Sequence, residues 1–376
     1  MPQYFSWAGG LEFLRNLSIG LSAVSTLYQI NICIILNHSF KDSPLFPLLN
    51  DYFKQSNCSE DYIYYESAQS DLADILISRK VDIVLAVNGD LGANFPVPWI
   101  AYIPDFQHKY LYNYFTEHEC FSRETVFAAR LRDCKALVVN AKSVKRDLLK
   151  FYPWIDENRV FALPFSPSPL PEWLMLKPEV ATKKYNITEP YFIICNQFWL
   201  HKDHLTAFKA FAALDNKNIQ LVCTGIMEDY RNPTYIQELN VSLEHLGIKT
   251  RVHMLGHIPK IDQISLLKGA LALIQPTRFE GGPGGGATYD AVAVGTPVIL
   301  SDIEVNKEIL LEHVKFFAVG NEKSLANLME QYAAQAVNIF NTSDLFQQMS
   351  DNQKLLGDML FQAIQYTLNR YNFESK

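Results

Sequence analysis

The sequence predicts an α/β fold of two halves, each built on parallel strands, and three observations carry that prediction. Strand-like apolar runs alternate with helix-like segments as far as about Phe151, which is the order that parallel βαβ units require. Prolines at 164, 167, 169, 171 and 178 then interrupt any regular element and mark a linker. The same alternation restarts at Tyr191. Two such halves joined by a hinge are expected to leave a cleft between them, where strand ends meet.

In the first half, Leu11, Leu14, Leu17 and Leu21 recur at helical spacing within Gly10 to Val24, and Ile30 to Leu36 reads as a mostly apolar strand. Ser67 to Ser78 reads as a helix, Asp82 to Val87 as a buried strand, and Trp99 to Ile103 as a strand stopped by Pro104. A helix over Ser122 to Arg132, a strand over Ala136 to Val139 and a helix over Ala141 to Phe151 complete this half. In the second, Tyr191 to Cys195, Gln220 to Cys223 and Val252 to Leu255 read as strands. His204 to Ala213, Tyr235 to Leu246 and Ile261 to Gly269 read as helices, and Ser343 to Asn372 is a long terminal one. The expected domains are 1–165 and 184–342, with 343–376 packing back toward the first.

Bulk composition narrows the function classes. A chain of 376 residues suits two ordinary domains, and 48% hydrophobic with 19% charged residues is a globular composition. A net charge of −7 without a long basic run argues against duplex nucleic acid as a partner. Cys33, Cys58, Cys120, Cys134, Cys195 and Cys223 show no C-x-x-C spacing, several inside apolar runs, which reads as free thiols in a reducing, cytoplasmic setting. Met1 to Tyr4 lacks the basic start and apolar core of a signal peptide, and no run of about 18 or more apolar residues predicts a membrane span.

The most informative stretch runs from Arg278 to Ala291. It follows the apolar run Ala270 to Ile274 and holds Gly281, Gly282, Gly284, Gly285 and Gly286 before a helix-like Tyr289 to Val294. Glycines between a strand and a helix start let backbone N–H groups approach an anion without Cβ interference. Glu280 and Asp290 bracket the loop and suit hydroxyl groups, so the site fits a phosphorylated sugar. Gly295 to Asp302 reads as turn, buried strand, turn.

Three stretches resemble the retaining, two-domain GT-B glycosyltransferases of family 4. The first is Gln275-Pro276-Thr277-Arg278-Phe279-Glu280-Gly281-Gly282-Pro283 with Asp290-Ala291-Val292-Ala293-Val294-Gly295-Thr296-Pro297-Val298-Ile299. The second is Cys195-Asn196-Gln197-Phe198-Trp199-Leu200-His201-Lys202-Asp203-His204, and the third Tyr102-Ile103-Pro104-Asp105-Phe106-Gln107-His108, with Gly9-Gly10 upstream. The resemblance implies two Rossmann-like domains facing across a cleft. It also implies transfer of a hexose from a nucleotide diphosphate sugar to a glycan or lipid-linked acceptor, with retention, in cell-surface polysaccharide synthesis.

By the same resemblance, Lys202 is the phosphate-binding lysine, Glu280 contacts hydroxyls of the transferred sugar, and His108 is a cleft histidine that orients the reacting centre. Gly281, Gly282, Gly284 and Gly285 would offer N–H groups to the diphosphate, and Gly9 and Gly10 would bring the loop after the first strand close. Met1 to Phe5 then reads as the remnant of that strand, or the strand begins upstream. No metal or other cofactor is implied; His201 and His204 flank Lys202 without an evident third ligand.

The sequence departs from the family pattern in two further places. Nine residues separate Glu280 from Asp290, more than in the family, and the second carboxylate is Asp. Asp290 therefore reads either as the ribose contact or as a helix N-cap. Asn196 stands near the family's phosphate arginine, leaving more charge compensation to Lys202, with Arg278 as either a substitute or a solvated side chain. The alternative functions are a non-catalytic nucleotide-sugar or glycan-binding protein and a nucleotide-sugar 2-epimerase of the same fold. Lys142, Lys145, Arg146 and Lys150 give the helix near Ala141 to Phe151 a basic face, which suits peripheral membrane contact as well as solvent.

Overall fold

The computed structural model describes residues 8–43, 46–49, 53–54, 56, 62–66, 69–334 and 342–374. The chain divides into two compact units: Met1–Ser166 with Ser350–Lys376, and Pro167–Met349.

Among the described residues, the first unit begins with helix α1 (Ala8–Tyr28) and continues through β1 (Ile35–Asn37), β2 (Ile63–Tyr65), α2 (Gln69–Ser78), β3 (Val84–Val87) and β4 (Trp99–Ile103). Then come α3 (Gln107–Tyr110), α4 (Glu117–Asp133), β5 (Ala136–Val139), α5 (Lys142–Phe151) and β6 (Val160–Ala162). β3 to β6 form a parallel sheet in sequence order, and β1 and β2 pair separately, also in parallel. β4 and β5 are buried along their whole length, as continuous apolar runs in a covered parallel sheet should be. A capping box fixes the start of α4: Thr116 accepts from the Glu119 N–H while the Glu119 carboxylate accepts from the Thr116 N–H.

Sequence reading placed Gly9 and Gly10 in a loop after a first strand. Both lie instead within the first turn of α1, while Met1 to Phe5 fall outside the described residues, as does Cys58. The strand expected over Ile30 to Leu36 contracts to Ile35–Asn37.

In the second unit, α6 (Pro171–Met175) and α7 (Pro178–Lys184) precede β7 (Tyr191–Cys195), α8 (His204–Ala212), β8 (Gln220–Thr224), α9 (Tyr235–His245) and β9 (Val252–Gly256). α10 (Lys260–Gly269), β10 (Leu273–Gln275), α11 (Gly285–Ala293), β11 (Val298–Ser301), β12 (Val314–Phe317) and α12 (Glu322–Ala333) follow. The proline-rich stretch is thus not wholly irregular: Pro171 and Pro178 each open a short helix, where the missing N–H costs nothing. The Lys268 ammonium anchors the first of these helices, donating to the carbonyls of Trp173 (3.3 Å), Leu174 (2.6 Å) and Leu176 (2.7 Å).

Six parallel strands run in the order β12-β11-β10-β7-β8-β9. This doubly wound order reverses direction between β7 and β10, and open α/β sheets bind ligands beyond the strand ends at such a switch point. Phe192, Ile194, Leu221, Cys223, Ile274 and Ile299 form the buried sheet core under Phe208, Phe211 and Met329.

The final helix, α13 (Thr342–Glu374), contributes Leu356, Leu360, Ala363 and Ile364 to the first unit's core beside Leu11, Leu17 and Leu21. It crosses α1 at two glycines. A Cβ on Gly357 would lie 2.2 Å from the Gly20 carbonyl oxygen, so the backbones touch there. Nearby, Tyr28 stacks on Phe361 (centroids 3.7 Å apart) and donates to Asp358 at 3.0 Å.

Candidate active site at the sheet switch point

The site grows from the ends of the two strands that flank the switch point. β7 ends at Cys195, and the next residue, Asn196, is buried with its side-chain amide donating to Gln275, the last residue of β10. One hydrogen bond therefore spans the switch point. It also commits the Asn196 amide to an internal partner, whereas sequence reading set it aside for phosphate.

Beyond Asn196 a single turn, Leu200–Lys202, carries the lysine. Asp229, buried in the loop after β8, accepts from the Leu200 N–H at 2.9 Å and so ties the start of the turn in place. The Lys202 ammonium lies 2.5 Å from the Glu280 carboxylate, with both side chains largely covered. The structure thus brings together two of the three side chains singled out as catalytic, although 77 residues separate them in the chain.

Glu280 is followed by the glycine turn. Helix α11 begins at Gly285, four residues before the helix read from sequence, so Gly285 and Gly286 stand at its first turn. Its N-cap is Gly284, and both Gly284 and Gly285 have left-handed backbones, with φ of 67° and 66°. A Cβ on Gly284 would strike Thr288 at 2.4 Å, and one on Gly285 would come within 3.1 Å of the Glu280 carboxylate. Glycine is needed there because the turn is both strained for other residues and tightly covered. At Gly286 the space is open. The opening N–H groups of a helix have no acceptor within it and carry its positive dipole end, an arrangement that suits an anion. The Gly285 N–H, which sequence reading assigns to the diphosphate, instead donates to the Gly282 carbonyl at 3.3 Å.

Asp290 is not an N-cap: it lies inside α11, buried, with its carboxylate 2.5 Å from the Lys260 ammonium. Lys260, at the start of α10, was not among the residues picked out from sequence. Its only sequence signal is a lysine after Pro259, which any solvated helix start would share. Arg278 does not stand free either, since its guanidinium donates to Asp203 at 2.9 Å.

His201 and His204 are buried and neutral. Burial, reinforced by the nearby Lys202 charge, moves each from its ordinary 6.5 to about 3. His204 stacks on Phe198 with centroids 4.2 Å apart, and neither of its ring nitrogens has a hydrogen-bond partner. Among the described residues no cluster of three His, Cys, Asp or Glu side chains could hold a metal ion. Cys195 is a half-buried thiol that desolvation pushes up to about 11, far from a reactive thiolate.

His108 belongs to the first unit. Its side chain is buried between the edges of Phe115 and Phe127, and Nε2 meets the Glu124 carboxylate at 2.5 Å. Burial holds its pKa below the ordinary value against the pull of Glu124, while Nδ1 has no partner. Glu124 also accepts from Lys109 (2.8 Å) and Tyr152 (3.0 Å); burial alone would raise its pKa, but these hydrogen bonds hold it below the usual range. Glu124 lies on α4, 16 residues after His108, and no sequence motif marked it.

Residues 179–352 match the family model described as glycosyl transferases group 1. The O-antigen chain mannosyltransferase RfbU of Salmonella typhimurium is 25% identical over 236 residues, which are 62% of this chain and 61% of that protein. The chain therefore matches about three fifths of the length of this curated relative. Among solved structures, Anabaena HepE in complex with UDP and glucose superposes with a TM-score of 0.59 at 13% identity, covering 96% of this chain and 95% of that one. A glycosyltransferase from Rickettsia africae gives 0.58 at 17% identity, covering 98% and 94%. WaaG, a glycosyltransferase involved in lipopolysaccharide biosynthesis, gives 0.54 at 16% identity, covering 93% and 92%. The fold is accordingly that of the GT-B glycosyltransferases, an α/β architecture of two Rossmann-like units.

Proposed function

We propose that this protein is a retaining glycosyltransferase of family 4 that moves a hexose from a nucleoside diphosphate sugar to a glycan or lipid-linked acceptor in cell-surface polysaccharide synthesis. The observation that carries the reading is the Lys202–Glu280 pair beside the glycine turn at the switch point. The bound UDP of HepE and the mannosyltransfer of RfbU support the donor class.

In this reading the diphosphate takes the Lys202 ammonium from Glu280 and rests against the opening N–H groups of α11. Negative charge grows on the departing phosphate as the anomeric bond breaks. A cation and fixed dipoles waiting at that point stabilise the transition state more than the ground state. Glu280, released from the lysine, accepts from hydroxyls of the sugar. Asp290 and Lys260 together present an acceptor and a donor to the ribose. His108, neutral and held by Glu124, is the histidine that the family resemblance gives the role of orienting the reacting centre. No metal enters the scheme, so chelation should leave turnover unchanged.

Transfer assays on Lys202→Ala and Glu280→Ala test the reading. Both should stay folded and lose transfer; turnover like that of the wild type in both would sink the assignment. A binding protein without transfer is the competing reading, favoured by the closed Lys202–Glu280 pair. It predicts UDP binding with neither transfer nor donor hydrolysis. Peripheral contact with an anionic membrane through α5, where Lys142, Arg146 and Lys150 are exposed, belongs to the same proposal. Absence of sedimentation with anionic vesicles at low salt would remove it.

A further inference from the structure

Gly284 is held on both sides of its peptide by side chains, and one of them, Asn306, lies outside every motif read from the sequence. Its N–H donates to the Asn306 side-chain oxygen at 2.8 Å. Its carbonyl accepts from the Gln275 amide and from the Thr288 hydroxyl, each at 2.7 Å. Asn306 is fully buried, and its amide nitrogen donates in turn to the Ser301 carbonyl at 2.9 Å, at the end of β11. Both polar groups of Gly284 are therefore spent inside the protein, and its N–H is not one of those offered to a ligand.

We infer that Asn306 is a positioning residue for the anion seat, acting through Gly284 and never touching the ligand. The inference rests on the proposed diphosphate site. Two consecutive left-handed glycines have the widest conformational freedom of any dipeptide, and an isolated pair would sample many turn shapes. Tying the Gly284 N–H to Asn306, and Asn306 to the end of β11, indexes the start of α11 to the sheet. The start of α11 is then held in one arrangement before a ligand arrives, which removes an ordering cost from binding. Asn306 lies 22 residues beyond Gly284, in a turn after the following strand, which is why the glycine motif does not reveal it.

The test compares UDP with uridine, which lacks the phosphates, in calorimetric titrations of the full chain. Asn306→Ala should weaken UDP at least tenfold and leave uridine within about twofold. Thr288→Val, which keeps side-chain shape and removes one bond to the same carbonyl, should weaken UDP about threefold and serves if Asn306→Ala does not fold. Asn306→Asp, which keeps the acceptor for Gly284, should retain slow amide exchange at Gly284 where Asn306→Ala loses it. UDP affinity within twofold of the wild type in both Asn306→Ala and Thr288→Val overturns the inference. A wild-type protein that binds no nucleoside diphosphate overturns the proposed function instead. In that case amide exchange at Gly284 still decides whether Asn306 holds the turn.

Discussion

The Lys202 ammonium and the Glu280 carboxylate, 2.5 Å apart and mostly shielded from water, form a closed ion pair at the end of the sheet. A diphosphate must compete with Glu280 for that ammonium. Glu280→Gln should therefore raise UDP affinity severalfold in calorimetry while abolishing transfer. Lys202→Met should lower UDP affinity by about 2 kcal/mol, roughly 30-fold, the scale of a charge-assisted hydrogen bond. Equal UDP affinity in wild type and Glu280→Gln would show that the pair does not open on binding.

Gly284 and Gly286, at the start of α11, should separate folding from binding. Gly284→Ala meets Thr288 at 2.4 Å with φ at 67°, and should lower stability by about 2 kcal/mol or more. Gly286→Ala meets nothing within 4 Å, so its melting temperature should stay near that of the wild type. Its new methyl group would stand at the anion seat, however, and UDP affinity should fall about tenfold. Thermal unfolding with and without UDP checks both.

Acid should destabilise the second unit through His201 and His204. Their folded pKa of about 3 lies below the ordinary 6.5, so the native state holds fewer protons than the unfolded chain. That stability is fully present above about pH 6.5 and is lost as pH falls toward 3. His204→Phe keeps the stack on Phe198 and removes two buried nitrogens without partners. It should raise stability at pH 5 by about 1–3 kcal/mol and flatten the acid limb of urea-midpoint profiles. An unchanged profile would place the titration elsewhere.

Where α1 crosses α13, Gly357→Ala should cost far more than Gly20→Ala. The first puts a methyl 2.2 Å from a backbone oxygen, which cannot yield without moving a helix. The second meets the Leu356 side chain at 2.8 Å, which can change rotamer. Urea unfolding should show a loss of about 2–3 kcal/mol for Gly357→Ala and less than half that for Gly20→Ala. Similar costs would mean that the helices separate easily.

Glu124→Gln tests whether the fixed orientation of His108 matters. It removes the charge that His108, Lys109 and Tyr152 share. Transfer should fall about tenfold through kcat with KM for the donor little changed, the pattern of an interaction realised in the transition state. A change confined to melting temperature would make the cluster purely structural.

By itself, the sequence determined the elements whose signals are local. Tyr191–Cys195, Trp99–Ile103 and Ala136–Val139 are continuous apolar runs bounded by breakers, and their limits in the structure are those read from the chain. The glycine turn and Glu280 were legible for the same reason, since five glycines in six positions serve few purposes. Short strands such as Val160–Ala162 and Ile63–Tyr65 escaped, because three residues carry no period and only pairing with a neighbour defines them. Tertiary structure alone decided who partners whom. Lys260 on Asp290, Glu124 on His108 and Asn306 on Gly284 are each brought together by sheet order or helix packing across at least 16 residues of chain. A buried polar group must find a partner wherever the fold supplies one, and no spacing along the chain announces that choice.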